Sequence, residues 1–177
     1  HMSTSVPPES QAKIAAHKGG IHFDLGGHML DQVVWILGRP ERVTSFLRSD
    51  TADVPDFTDN SLVVYEFDNA MAFIDIAAME TRPMARRFEV FGTKGSAILL
   101  EPFEPGGRIR LALDEARGGY EEGEQLIELK PMGRGETYDR ELDHFLSVVL
   151  DGAAPDRGLD FELLVQETLL RGTGHLS

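Results

Sequence analysis

Between residues 24 and 31 the sequence reads DLGGHMLD. Asp24 and His28 are four apart, the separation at which two side chains on a helix can meet. A carboxylate next to an imidazole fixes the ring's tautomer, and imidazole as a side chain titrates near neutrality, so the two make a competent acid/base pair. A plainer reading of the same residues is also available. Asp24 is a good amino-terminal cap, and His28 would then be a solvated residue on an exposed stripe. Adding Asp31 gives spacing compatible with a metal, but metal sites usually gather more imidazoles or thiolates, and no metal is expected here. Residue types and spacing alone leave cap and acid/base pair both open.

A helix must position these residues. The apolar periodicity predicts one from about Asp24 to Leu37, closed by Gly38 and stopped by Pro40. At about 100° per residue, Asp24, His28, Asp31, Gln32 and Trp35 share one stripe, while Leu25, Met29, Leu30, Val33 and Val34 face a core. Gly26 and Gly27 fall on the core side and its border. Each costs about 1 kcal/mol in a helix interior, so a backbone or ligand must come close there. Residues 1–20 read as a polar lead-in with one short helical turn around Glu9 to His17, and His1-Met2 as a cloning scar. The domain proper is therefore expected over 21–177.

Downstream the period changes from helical to two. Stretches 42–50, 61–67, 70–80, 86–92, 96–103, 108–116 and 124–131 read as strands, with hairpin turns at Asp68-Asn69, Thr93-Lys94-Gly95 and Arg117 to Tyr120. Two amphipathic helices follow, over 137–152 and 159–172. Strands run together and helices are segregated, which predicts an α+β fold: a mostly antiparallel open sheet of about six strands, with helices on one face. Stretch 70–80 is apolar at almost every position, which a solvated face would not tolerate. A homo-oligomer formed through the open sheet face is the expectation.

Composition removes several functions. The net charge of −13 disfavours nucleic acid and anionic membrane as partners. With no cysteine there are no disulfides, thiolate nucleophiles or cysteine zinc sites. No apolar run reaches the roughly 20 residues of a membrane helix, and no signal peptide is visible, so a cytoplasmic location is expected. Gly133-Arg134-Gly135 lacks a third glycine at the dinucleotide spacing, and Gly92 to Ser96 is too short for a phosphate loop. No cofactor is expected to bind this chain.

GGIHFDLGGHMLDQVVWILGRPERV (19–43) resembles the opening of the carboxyl-terminal domain of the Gfo/Idh/MocA oxidoreductases. It has the GG pair, D-x-x-x-H-x-x-D, an apolar helix with a Trp, and G-x-P-x-x-V. FEVFGTKGSAILLEPF (88–103) is similar to the family's strand, G-T-x-G turn and strand. The closing helices around Phe145 and the Gly152 to Pro155 connection fit as well. The resemblance implies a substrate-binding and dimerisation domain of an NAD(P)-dependent oxidoreductase acting on a sugar, cyclitol or related polyol. It implies His28 as general base or acid, and Asp24 orienting it or binding a substrate hydroxyl. NAD or NADP, and a catalytic lysine, would come from a Rossmann domain that these residues do not contain. Asp31 and Trp35 read as structural, Arg82, Arg86 and Arg87 as surface residues, and His22 as a neighbour of unknown direction. His17, His144 and His175 carry no pattern. The alternative is a standalone, non-catalytic sheet module that dimerises or binds a ligand.

Overall fold

A computed structural model describes residues 1–50, 54–79, 85–100, 107–130 and 132–177. In chain order its elements are β1 Met2–Ser3, α1 Pro8–Ile14, α2 Gly20–Leu37, β2 Arg42–Arg48, β3 Asn60–Glu66 and β4 Met71–Ala77. Then come β5 Phe88–Gly92, β6 Gly95–Leu100, β7 Arg108–Leu113, β8 Gly123–Glu128, α3 Arg134–Asp151 and α4 Leu159–Gly172. The class is the expected α+β, and all strand pairs but one are antiparallel. The strands described are eight, and they lie in two four-stranded sheets where one sheet of about six was expected. The chain divides into two compact units, His1–Ala85 with Arg157–Ser177, and Arg86–Asp156.

In the first unit the sheet order is β1-β4-β3-β2. Asp68-Asn69 makes the predicted turn between β3 and β4, closed by the Phe67 N–H on the Ala70 carbonyl at 2.9 Å. Register pairs Val63 with Ser45 and Ile74, and Val64 with Thr44 and Phe73. Side chains alternate across a strand, so Ser61, Val63, Tyr65, Ile74 and Ile76 turn inward and are buried. The apolar ones, Val63, Ile74 and Ile76, with Tyr65, meet Ile21, Leu30 and Val34 of α2 and Leu169 of α4 in one core. Each such side chain contributes about 1.5–3 kcal/mol of hydrophobic burial. The other face of this sheet is bare: Phe46, Met71 and Phe73 are 56%, 71% and 62% exposed. Within the apolar run, Ile74 and Ile76 are thus core, and Met71 and Phe73 open surface. The lead-in is held too: β1 runs parallel to β4 with Met2 in the core.

The second unit is a meander, β5-β6-β7-β8, with Phe88, Leu99, Ile109 and Ile127 in cross-strand register. The hairpin at 93–95 closes where Gly95 adopts φ 153°, and a Cβ there would stand 2.3 Å from the Ala112 carbonyl oxygen. Only glycine fits. None of this unit's described residues is buried. On α3 the stripe Tyr138, Leu142, Phe145 and Val149 is more than half exposed throughout, at 54–60%.

Candidate functional site

The start of α2 determines where the motif points. Gly19 has φ 90° and Gly20 φ 48°, conformations that L side chains rarely adopt. A Cβ on Gly20 would lie 2.6 Å from the Thr58 carbonyl oxygen, and one on Gly19 would lie 2.6 Å from Thr173 Cβ. That carbonyl accepts the Ile21 N–H at 2.9 Å. The glycine pair therefore lets the helix begin against neighbouring chain, with Gly19 as its cap. Reading Asp24 as the cap is corrected by this. Asp24 is in the second turn and His28 in the third, not at the helix end. Gly38 closes the helix as expected, its N–H on the Val34 carbonyl at 2.8 Å.

Beginning at Gly20 brings His22 into the core. Positions 22, 26, 29 and 33 then form one stripe at helical spacing, and His22 is fully buried. Its Nδ1 is 3.1 Å from Ser61 Oγ and its Nε2 3.2 Å from Tyr65 Oη. Burial holds the imidazole neutral, with its pKa lowered to about 4, and pushes the Tyr65 phenol upward. Gly26 makes the room: a Cβ there would lie 2.9 Å from His22 Cδ2. The group that requires this glycine is a core histidine, not a ligand. At Gly27 the nearest atom is Leu169 Cδ2 at 3.7 Å, so nothing comparable constrains it. The sequence reading missed this cluster because it began the helix four residues late.

Asp24 and His28 are exposed on the opposite side of α2. Neither side chain has a hydrogen-bond or ion-pair partner among the described residues. Asp31 differs. It pairs with Arg157 at 3.1 Å, and that guanidinium lies 4.9 Å from the Trp35 ring centroid and 5.4 Å from that of Phe161. Arg157 thus links Asp31 and Trp35 of α2 to Phe161 of α4. Arg82 lies outside the described residues. Arg86 and Arg87 both have interaction partners.

Beside Asp24 the surface is concave. Lys13, Ile14, His17, Phe23 and Asp24 line a cleft of about 310 Å³. The rings of His17 and Phe23 stack at 4.9 Å with an interplanar angle of 15°. On the other side Phe23 meets His175, at 5.4 Å, and His175 Nδ1 is 2.8 Å from Thr173 Oγ1. Two histidines without a sequence pattern thus flank the candidate site through an aromatic ring. His144 lies in the second unit, where its Nε2 accepts the Asp156 N–H at 3.3 Å.

The model of the GFO/IDH/MocA C-terminal domain family matches residues 1–98, more than half of the 177-residue chain. The chain belongs to that family. No curated protein matches it. Among solved structures, this GFO/IDH/MocA domain is similar to an oxidoreductase from Thermotoga maritima, 23% identical with TM-score 0.64, over 89% of this chain and 44% of that one. It is also similar to a levoglucosan dehydrogenase in complex with NADH and levoglucosan, 17% identical with TM-score 0.72, over 98% and 55%. A third is an oxidoreductase from Agrobacterium radiobacter in complex with NAD+, L-tartaric acid and magnesium, 16% identical with TM-score 0.72, over 95% and 50%. The chain spans about half the length of these structures. At these identities the likeness is one of fold.

The start of α2 does not fit a dinucleotide. A pyrophosphate needs free N–H groups where a helix follows a strand through a glycine loop. Here the glycine pair at the start of α2 follows α1 and is filled by Thr58 and Thr173. Among the described residues no group of three or more acidic or histidine side chains could hold a metal. No helix among them is long and apolar enough to cross a membrane.

Proposed function

We propose that this domain binds the substrate, and mediates self-association, in an NAD(P)-dependent oxidoreductase acting on a sugar, cyclitol or related polyol. One observation carries the reading: an exposed carboxylate and an exposed imidazole stand four residues apart on α2, and neither has a partner among the described residues. Other polar groups of this helix are engaged, His22 in the core and Asp31 with Arg157. On this reading His28 takes or returns the proton of a substrate hydroxyl. Asp24 accepts a hydrogen bond from a neighbouring hydroxyl and orients the imidazole. The dinucleotide, and the lysine that the family resemblance implies, belong to a nucleotide-binding domain. The similarity to a levoglucosan dehydrogenase in complex with NADH and levoglucosan supports a carbohydrate-like substrate. The reading is tested by following the His28 ring resonances while cyclitols, neutral sugars and sugar acids are titrated into the chain. Saturable shifts that vanish in Asp24→Asn are expected. A panel that leaves these resonances unmoved retires the site.

The proposal includes a homo-oligomer closed through the bare face of the first sheet, with Phe46, Met71 and Phe73 in the contact. Such an apolar face on an isolated sheet is the signature of an interaction surface. Light scattering at micromolar concentration should report a dimer or larger species; a clean monomer contradicts this part.

A further inference from the structure

We infer that the cleft beside Asp24 takes a polyol bearing a carboxylate, such as a sugar acid, and that Lys13 selects the carboxylate. The inference rests on the polyol reading of Asp24 and His28 and adds the substrate's charge. Lys13 lines the same cleft as Asp24. Its ammonium has no partner among the described residues. Among the described Lys and Arg side chains of the first unit it is alone in this. Arg39, Arg42, Arg48 and Arg157 are each paired with a carboxylate. Lys18 and Arg171 sit on main-chain carbonyls.

The local charge also runs against that of the whole molecule. The chain carries −13, which repels an anion at long range. Yet residues 11–22 hold two of its four lysines, with no Asp or Glu among them. An anionic substrate of this protein needs a local uncompensated cation, and Lys13 supplies one as a point charge. Phe23, stacked on His17, forms an apolar wall for the carbon skeleton. Orientation follows from repulsion. The substrate carboxylate cannot lie against Asp24, so it lies at the Lys13 end, and a hydroxyl faces Asp24.

The test titrates the 177-residue chain by calorimetry with D-gluconate and D-glucitol, which share a six-carbon chain and differ at one end, carboxylate against alcohol. Gluconate should bind at least about tenfold more tightly at low salt, with the gap narrowing as ionic strength rises. Lys13→Met, at an exposed position, should bring gluconate to the glucitol level. Equal affinities in the wild type, or a preference for gluconate that survives Lys13→Met, overturns the inference and leaves the polyol reading standing. Binding of neither compound overturns both.

Discussion

The two units spend similar sequence patterns on opposite ends. Both alternate along their strands and both carry an amphipathic helix. In the first unit the pattern closes on itself: inward residues of β3 and β4 meet α2 and α4, and Ile21, Leu30, Val63 and Tyr65 lose essentially all solvent. In the second unit the apolar face of the meander and the stripe on α3 remain open, and no described residue is buried. A hydrophobic pattern therefore announces only that a face wants cover. Whether the chain itself supplies that cover depends on which elements return to it. The candidate site lies on the unit that is closed, which gives Asp24 and His28 a rigid helix to stand on.

That contrast breaks most sharply under truncation of matched leucines. Leu30→Ala, in the closed core, should cost about 2–5 kcal/mol in urea denaturation. Leu142→Ala, on the open stripe of α3, should stay within about 0.5 kcal/mol in the monomer. If both cost the same, α3 is covered in solution and the comparison fails.

The next effect is a pH dependence confined to the closed unit. His22 is depressed to about 4 in the folded state, against the ordinary value of 6.5. The unfolded chain therefore binds more protons than the folded one between those values. Stability is full above the unfolded pKa and falls as pH drops through the window from 6.5 towards 4. The loss is on the order of 3 kcal/mol if the whole shift is realised. Denaturation midpoints across that range should slope downward in the wild type and flatten in His22→Gln.

Neighbouring glycines give the smallest and most discriminating pair. Gly26→Ala must displace the His22 ring, pinned by Ser61 and Tyr65, and should destabilise by about 1–3 kcal/mol. Gly27→Ala meets only ordinary contact with Leu169, so it should stabilise by about 0.5–1 kcal/mol through helix propensity. Thermal melts of the two variants should move in opposite directions.

Much of this was legible in the residues. The change of period after Pro40 announced the antiparallel strands, and Gly38, Asp68-Asn69 and Gly95 marked the ends and turns they make. The exposed stripe of Asp24, His28 and Trp35 followed from helical spacing alone. The helix start was not legible, because Gly19 and Gly20 are held by Thr58 and Thr173, tens of residues away or more in the chain. With the start misplaced, His22 lost its core stripe and Asp24 gained a capping role it does not have. The division into two sheets was equally hidden, since hairpin signals specify neighbours and not where a meander ends. The cleft beside Asp24 needed α1 to fold back onto α2, a tertiary fact that no local pattern encodes.

The account turns on His28 being an acid/base group and not a solvated surface residue. The most direct measurement is turnover of His28→Ala in the proposed oxidoreductase, assayed with a nucleotide-binding domain present, alongside its melting temperature. Because His28 is exposed and has no side-chain partner among the described residues, melting should be unchanged. Turnover of the preferred polyol should fall by about a hundredfold or more, the scale of losing a general base. A variant that turns over within about threefold of wild type, far inside that scale, would contradict the assignment.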